Sequence, residues 1–182
     1  MQEGTRPSSK ATHDVLFDLD VKVPMRDGVL LSADLYRPAG LSRVPAILFR
    51  IPYGKGQAPF VQLALWYARR GYAFVSVDCR GRHDSEGRWY AWQHEAHDGY
   101  DTQEWVGSQR WCDGQIGTTG SSYGGLTQWL PAPLRSRYLK AMAPRVTPSD
   151  FWHQDNYVGG AFQLCLNMQW SLPDLRPGRA EP

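Results

Sequence analysis

Gly120-Ser121-Ser122-Tyr123-Gly124-Gly125 is the segment whose residue types and spacing point most directly to chemistry. It fits G-x-S-x-G with Ser122 at the centre. A strand-like stretch, Gln115–Thr119, precedes it, and a helix-like stretch follows from about Leu126. Strand, tight turn and helix form the setting in which this motif lifts a serine hydroxyl clear of a sheet. Such a turn strains the serine backbone, and Gly120 and Gly124 are the positions where a Cβ is expected to collide. The helix dipole favours negative charge beside Ser122. The chemistry implied is attack on an acyl carbon, with Ser122 as the predicted nucleophile. Ser121, one place off the motif, reads as a small packing residue. The competing reading is a Gly/Ser turn that only caps a helix.

Other candidate groups point to structure. Asp78 and Arg80 follow a predicted strand near the same end of the sheet, and Arg80 is expected to pair with Asp98 or Asp101 and hold its loop. His94-Glu95-Ala96-His97 has the spacing H-E-x-H, which lacks the i, i+4 histidines and third ligand of a zinc site, so no metal is called for. Gly117 to Ser122 is no phosphate loop, because the required lysine is missing. Glu95, Asp98, Asp101 and Glu104 recur every three residues, a pattern of a solvated helix face rather than of paired acid–base carboxylates. The Trp and Tyr residues between 151 and 170 either line an acyl pocket or simply pack.

These residues need a scaffold, and the hydropathy pattern supplies one. Val21–Met25 and Val29–Tyr36 flank Arg26-Asp27-Gly28, and Asp-Gly between apolar runs signals a hairpin. Pro45–Arg50 and Tyr72–Asp78 are apolar runs of the kind that fill buried central strands. Helices are predicted over 57–70, closed by Gly71, over 94–108 and over about 122–133. Strands are predicted at 115–119 and 139–144, with a long Gly-, Arg- and Trp-rich loop over 79–93. Residues 146–172 carry a helical tendency. The order is a hairpin followed by β-α-β-α-β-α-β. That order implies an α/β fold: a mostly parallel sheet with helices on both faces and an antiparallel N-terminal hairpin.

The 182 residues allow one domain with a sizeable core, and 42% apolar with 21% charged residues is ordinary for a globular chain. A net charge of +2 without a basic tract argues against nucleic acid as partner. Cys79, Cys112 and Cys165 are scattered and odd in number, implying neither a disulfide framework nor a zinc ribbon. The polar start lacks the apolar core of a signal peptide, and no run is long enough to span a membrane, so the expected location is the cytoplasm.

Five segments resemble the CocE/NonD family of α/β-hydrolases, which holds cocaine esterase, α-amino-acid ester hydrolase and Xaa-Pro dipeptidyl-peptidase-like enzymes. They are Val23–Pro38; Arg50–Lys55; Asp78-Cys79-Arg80-Gly81 with Ser85-Glu86-Gly87; Glu95–Thr102 with Glu104-Trp105; and Trp111–Gly114 leading into the glycine–serine motif. His83 departs from the family, which often has glycine there, and is expected to alter only the loop. The resemblance implies a serine hydrolase of ester or amide substrates, acyl or peptidyl, working through an acyl-enzyme at Ser122. The Tyr123 N–H and the Tyr53 hydroxyl would form the oxyanion hole, with no cofactor.

The resemblance covers the N-terminal part of the family fold only. It implies a partial hydrolase core over 15–145 and the start of a helical cap over 146–172, while the polar residues 1–14 and the polar, proline-rich residues 173–182 are expected to be disordered tails. The sheet is expected to stop before the last core strands. In this fold the acid and histidine follow the serine, and the only later histidine is His153, with Asp150 and Asp155 nearby. Asp150…His153 fits the order but falls in the cap. The alternative reading is therefore a catalytically incomplete fragment or non-catalytic module. The expected partner is a small-molecule ester or amide, with neither nucleic acid nor membrane. A homo-oligomer, or a complementing chain that supplies the C-terminal part, completes the expectations.

Overall fold

The computed structural model describes residues 9–174, so that of the tails expected over 1–14 and 173–182 the parts 1–8 and 175–182 lie outside the described residues. Six strands build one sheet: β1 (Val15–Pro24), β2 (Leu30–Pro38), β3 (Val44–Ile51), β4 (Ala73–Asp78), β5 (Cys112–Ser121) and β6 (Leu139–Arg145). Their spatial order is β1-β2-β4-β3-β5-β6. β1 and β2 are an antiparallel hairpin turning at Asp27-Gly28, and β2 also runs antiparallel to β4. From β4 through β3 and β5 to β6 every pairing is parallel.

The apolar runs explain why the central strands are central. All six residues of β4 are buried, as a strand covered on both faces requires. Its side chains alternate: Phe74 packs with Tyr36, Phe49, Ala64 and Ala68 on the side of α1 (Ala58–Ala68). Ala73, Val75 and Val77 pack with Leu48, Ile116 and Val106 on the side of α2 (Glu95–Ser108). Burying one such large side chain contributes about 1.5–3 kcal/mol. The expected sheet with helices on both faces is thus the observed one.

The connections locate the crevice. From β3 the chain passes through α1 to β4 on one side of β3, then crosses through α2 to β5 on the other side. Successive connections leave in opposite directions, which opens a crevice at the carboxyl ends of β3 and β5. Tyr53 follows β3 by two residues, and Ser122 follows β5 directly.

Three expectations need correction. The ordered chain starts before residue 15, because the N–H groups of Thr12 and His13 both donate to the Arg69 carbonyl at the end of α1. The region 146–172 is not simply helical. It holds a π-helical turn (Trp152–Asn156), a two-strand ribbon of β7 (Tyr157–Val158) and β8 (Ala161–Phe162), and then α4 (Leu164–Asp174). Gly159 and Gly160, both at positive φ, make the ribbon turn. Finally, Glu95 and Asp98 are no solvated face, being only 3% and 2% exposed.

Arg80 explains the burial of Asp98. Its guanidinium donates from Nε and Nη2 to both Asp98 oxygens, at 2.9 and 2.7 Å, and also pairs with Asp27 in the hairpin turn at 2.7 Å. Asp101 is bound instead by Arg26, whose side chain and backbone N–H both donate to it. Two arginine–carboxylate pairs therefore pin the β1–β2 turn against the loop after β4 and against α2. The hydrogen bond from Arg80 holds the Asp27 carboxyl below its usual range, and Arg26 does the same for Asp101 against an opposing push from burial. A depressed folded-state pKa contributes stability above the unfolded value, and that stability is lost as pH falls through the folded value. Urea midpoints are expected to hold from pH 7 to about 4 and to fall below it. Asp27→Asn should flatten that acid limb; a limb of unchanged steepness in this variant would count against the pinning role.

Candidate active site

β5 ends at Ser121 and α3 (Tyr123–Trp129) begins two residues later, so Ser122 alone makes the turn. Its backbone stands at φ 55° and ψ −120°, a conformation that side chains rarely adopt. Hydrogen bonds hold it there. The Ser122 N–H donates to the Arg145 carbonyl of β6 at 3.0 Å, and its own carbonyl accepts from the N–H groups of Gly125 and Leu126. The side chain makes no capping bond to the helix and is exposed. Ser121 is exposed as well, so it does not play the packing role read from the sequence.

The tight contacts of the turn differ in part from expectation. A Cβ on Gly120, at φ +154°, would stand 2.4 Å from the Gly124 carbonyl oxygen, so glycine is obligatory there. A Cβ on Gly124 would meet the Phe49 ring at 3.6 Å, an ordinary contact. The second position closed to a side chain is Gly125, where a Cβ would lie 2.3 Å from Thr147 Cγ2. Thr147 follows β6, and its approach is not encoded within the motif.

Tyr123 opens α3, so its N–H has no carbonyl one turn back in the helix to bond. Its ring is buried, and its hydroxyl donates to Glu95 Oε1 at 2.9 Å while accepting the Trp92 N–H at 3.0 Å. Burial, followed by the nearby Glu95 charge, pushes the phenol well above its usual pKa, so it stays protonated. Tyr53 stands edge-on to Tyr123 with ring centroids 6.5 Å apart. The Tyr53 hydroxyl accepts a hydrogen bond from Trp170 Nε1 at 3.1 Å, and its carbonyl accepts one from the Gln57 side chain.

The residues after Tyr53 are clamped by acids. Lys55 donates its backbone N–H to Asp78 Oδ1 at 2.8 Å, and its buried ammonium lies 2.6 Å from Asp84, 3.4 Å from Asp78 and 3.6 Å from Asp34. Burial alone would lower the lysine pKa, but these carboxylates outweigh it and raise it. Burial pushes the Asp78 carboxyl up. His83, at φ 48°, lays its ring over Gly54, 3.1 Å from where a Cβ would stand. Asp78 thus holds the Tyr53 segment, and Arg80 and Asp98 hold the loop beside it.

Ser122 and Tyr123 open into a cavity of about 230 Å³. Trp92, Phe151 and Trp170 form its apolar wall, and Trp170 stacks on Trp92 at 5.5 Å and on Tyr123 at 6.2 Å. Of the aromatic residues between 151 and 170, Phe151 and Trp170 therefore line the cavity. Trp152, Tyr157 and Phe162 pack on one another instead. Among the described residues Asp155 is the one acidic residue of the lining, and burial raises its carboxyl pKa. No histidine lines the cavity among the described residues. His153 pairs through Nδ1 with Asp150 at 2.7 Å and is 75% exposed. The pair follows the chain order of a triad, but the structure does not bring it to Ser122. No group of three or more His, Cys, Asp or Glu fit to hold a metal occurs among the described residues, and none of their helices is long and apolar enough to cross a membrane.

Sequence reasoning missed Glu95. This first residue of α2 joins Tyr123, Arg50 and Cys79 beneath the turn. The available signal was Arg50 at the end of an otherwise apolar strand, since a charge placed there must find a partner.

Comparison with known proteins adds a family to this geometry. The family described as X-Pro dipeptidyl-peptidase (S15 family) matches residues 27–179. Cocaine esterase of Rhodococcus sp. (strain MB1 Bresler) is 41% identical over 157 residues, covering 84% of this chain and 27% of that protein. A CocE/NonD family hydrolase from Staphylococcus aureus superposes with a TM-score of 0.74 at 30% identity, over 81% of this chain and 30% of that one. An α-amino acid ester hydrolase also gives a TM-score of 0.74, at 27% identity, over 96% of this chain and 32% of that one. The chain spans about a quarter of the length of the curated relatives it matches.

Proposed function

The chain belongs to the X-Pro dipeptidyl-peptidase (S15) family, and on that premise we propose that it carries the nucleophile and oxyanion hole of a serine hydrolase acting on esters or amides. The observation that carries this reading is the backbone of Ser122. It is held at φ 55°, at the crevice between β3 and β5, with its side chain open to a cavity. Ser122 Oγ attacks the substrate carbonyl carbon, forming a C–O bond as the carbonyl electrons move onto oxygen, while its proton passes to a general base that no described residue of the cavity supplies and that returns it to the leaving group. The Tyr123 N–H and the Tyr53 hydroxyl donate to that oxyanion. Collapse of the intermediate expels the leaving alcohol or amine and leaves an acyl-serine, which water hydrolyses. The aromatic wall supports an acyl or leaving group with an apolar face, and Asp155 supports one bearing a cation. Asp78, Arg80 and Asp98 hold the segments that carry the site.

One observation favours the second reading, a non-catalytic or incomplete module: the cavity lacks a histidine among the described residues. Labelling the 182-residue chain with a fluorophosphonate, followed by peptide mapping, separates the two. The expected result is one adduct, on Ser122 and not on Ser121. A folded chain that takes up no probe would leave the incomplete module as the correct reading.

A further inference from the structure

Glu95 is a charge that the reaction as described does not use, yet it is almost entirely buried beneath the elbow. Its two oxygens are divided between the elbow and the sheet. Oε1 accepts the Tyr123 hydroxyl at 2.9 Å. Oε2 lies 2.8 Å from Arg50 Nη2 and 3.6 Å from Cys79 Sγ. The Glu95 backbone carbonyl also accepts from Arg50 Nη1 at 3.2 Å. Arg50 stands three residues before Tyr53, Cys79 follows β4, and the Tyr123 hydroxyl accepts a hydrogen bond from the Trp92 N–H.

One carboxylate therefore links the elbow to the carboxyl ends of β3 and β4. Packing alone gives no reason for a charge here, because a buried ion pair is often no better than apolar residues of the same volume. A glutamine would also accept a hydrogen bond from a phenol. What the carboxylate adds is a charge-assisted bond to Tyr123 and an attraction to Arg50 that fixes its own position.

We propose that Glu95 is a positioning residue for the oxyanion hole. Held by Arg50, it anchors the far end of the Tyr123 side chain and so sets the direction of the Tyr123 N–H relative to Ser122 Oγ and Tyr53. The inference rests on the reading of Ser122 as nucleophile. It makes Tyr123 a two-ended device, with the backbone end facing substrate and the phenol end bolted to the core.

The test is a cycle of Glu95→Gln, Tyr123→Phe and the double variant, each shown to be folded by circular dichroism. The rate at saturating fluorophosphonate and the half-saturating probe concentration are measured separately. Each single variant is expected to slow the covalent step about 10- to 100-fold, the worth of a charged hydrogen bond, while half-saturation stays put. The double variant is expected to be no slower than the slower single. Effects that multiply in the double, or that move half-saturation alone, overturn the proposal. If wild type forms no Ser122 adduct, the nucleophile reading has failed, and amide exchange of peptides covering 118–128 decides the positioning claim. Faster exchange confined to those peptides in both single variants upholds it, and unchanged exchange overturns it.

Discussion

Replacing Ser122 with glycine is expected to abolish covalent labelling and yet stabilise the chain by about 1 kcal/mol, the difference between released strain and added chain entropy. The argument begins at φ 55° and ψ −120°. A non-glycine residue held in so sparsely populated a region costs about 1–3 kcal/mol. Glycine adopts it freely but gives back about 0.5–1 kcal/mol through the greater freedom of the unfolded chain. The side chain contributes nothing to offset this, since it makes no capping bond and is exposed. Ser122→Ala is the control: it keeps the Cβ and the strain, loses the hydroxyl, and should leave the urea midpoint within about 0.5 kcal/mol of wild type. A glycine variant less stable than the alanine variant would show that the elbow stores no strain. The expected pattern is that of a site where fold stability is spent on the position of one oxygen.

The second large effect is expected at Arg50. Arg50→Met should cost about 3–5 kcal/mol, because it leaves Glu95 charged and buried without its cation. Against a total stability of about 5–15 kcal/mol for an ordinary domain, that endangers the fold. Arg50 and Glu95 are 2% and 3% exposed at the side chain, so solvent can replace neither partner. The contact is a close ion pair rather than a well-aligned hydrogen bond, since neither Arg50 Nε nor Nη2 has a hydrogen-bond acceptor among the described residues. Imperfect alignment makes the pair a poor source of net stability, but it does not reduce the harm of removing one member. Arg50→Met with Glu95→Gln should therefore recover most of the loss in urea denaturation. A double variant as unstable as Arg50→Met alone would mean that arginine packing, and not an orphaned charge, carries the cost.

The glycine–serine turn was legible because everything that defines it lies within a dozen residues: a β-pattern, a tight turn, then a helix. The sheet was legible because apolar runs alternate with helical stretches. What escaped depends on partners distant in sequence. Glu95 carries the spacing of a solvated face, and only Arg50, placed opposite it by the fold, makes it an interior residue; the pairing of Asp98 with Arg80 was expected, but not the burial that goes with it. Gly125 looked no more constrained than Gly124 until the chain beyond β6 brought Thr147 against it. The β7–β8 ribbon was a different failure. Gly159-Gly160 between apolar pairs is a hairpin signal that was present and was outweighed by the helical tendency around it.

The aromatic wall of the cavity is anchored in two unlike ways, and they set what the lineage of this protein is free to change. Trp92 is tied to Tyr123 through its backbone N–H, a donor that every residue but proline carries at position 92. Trp170 is tied to Tyr53 through its indole nitrogen, a bond that among apolar residues only tryptophan can make. Mutational drift or directed evolution can thus reshape the pocket at 92 without loosening the floor beneath it. A change at 170 alters the cavity wall and the Tyr53 contact together. The shape of the cavity is more readily altered from the Trp92 side than from the Trp170 side.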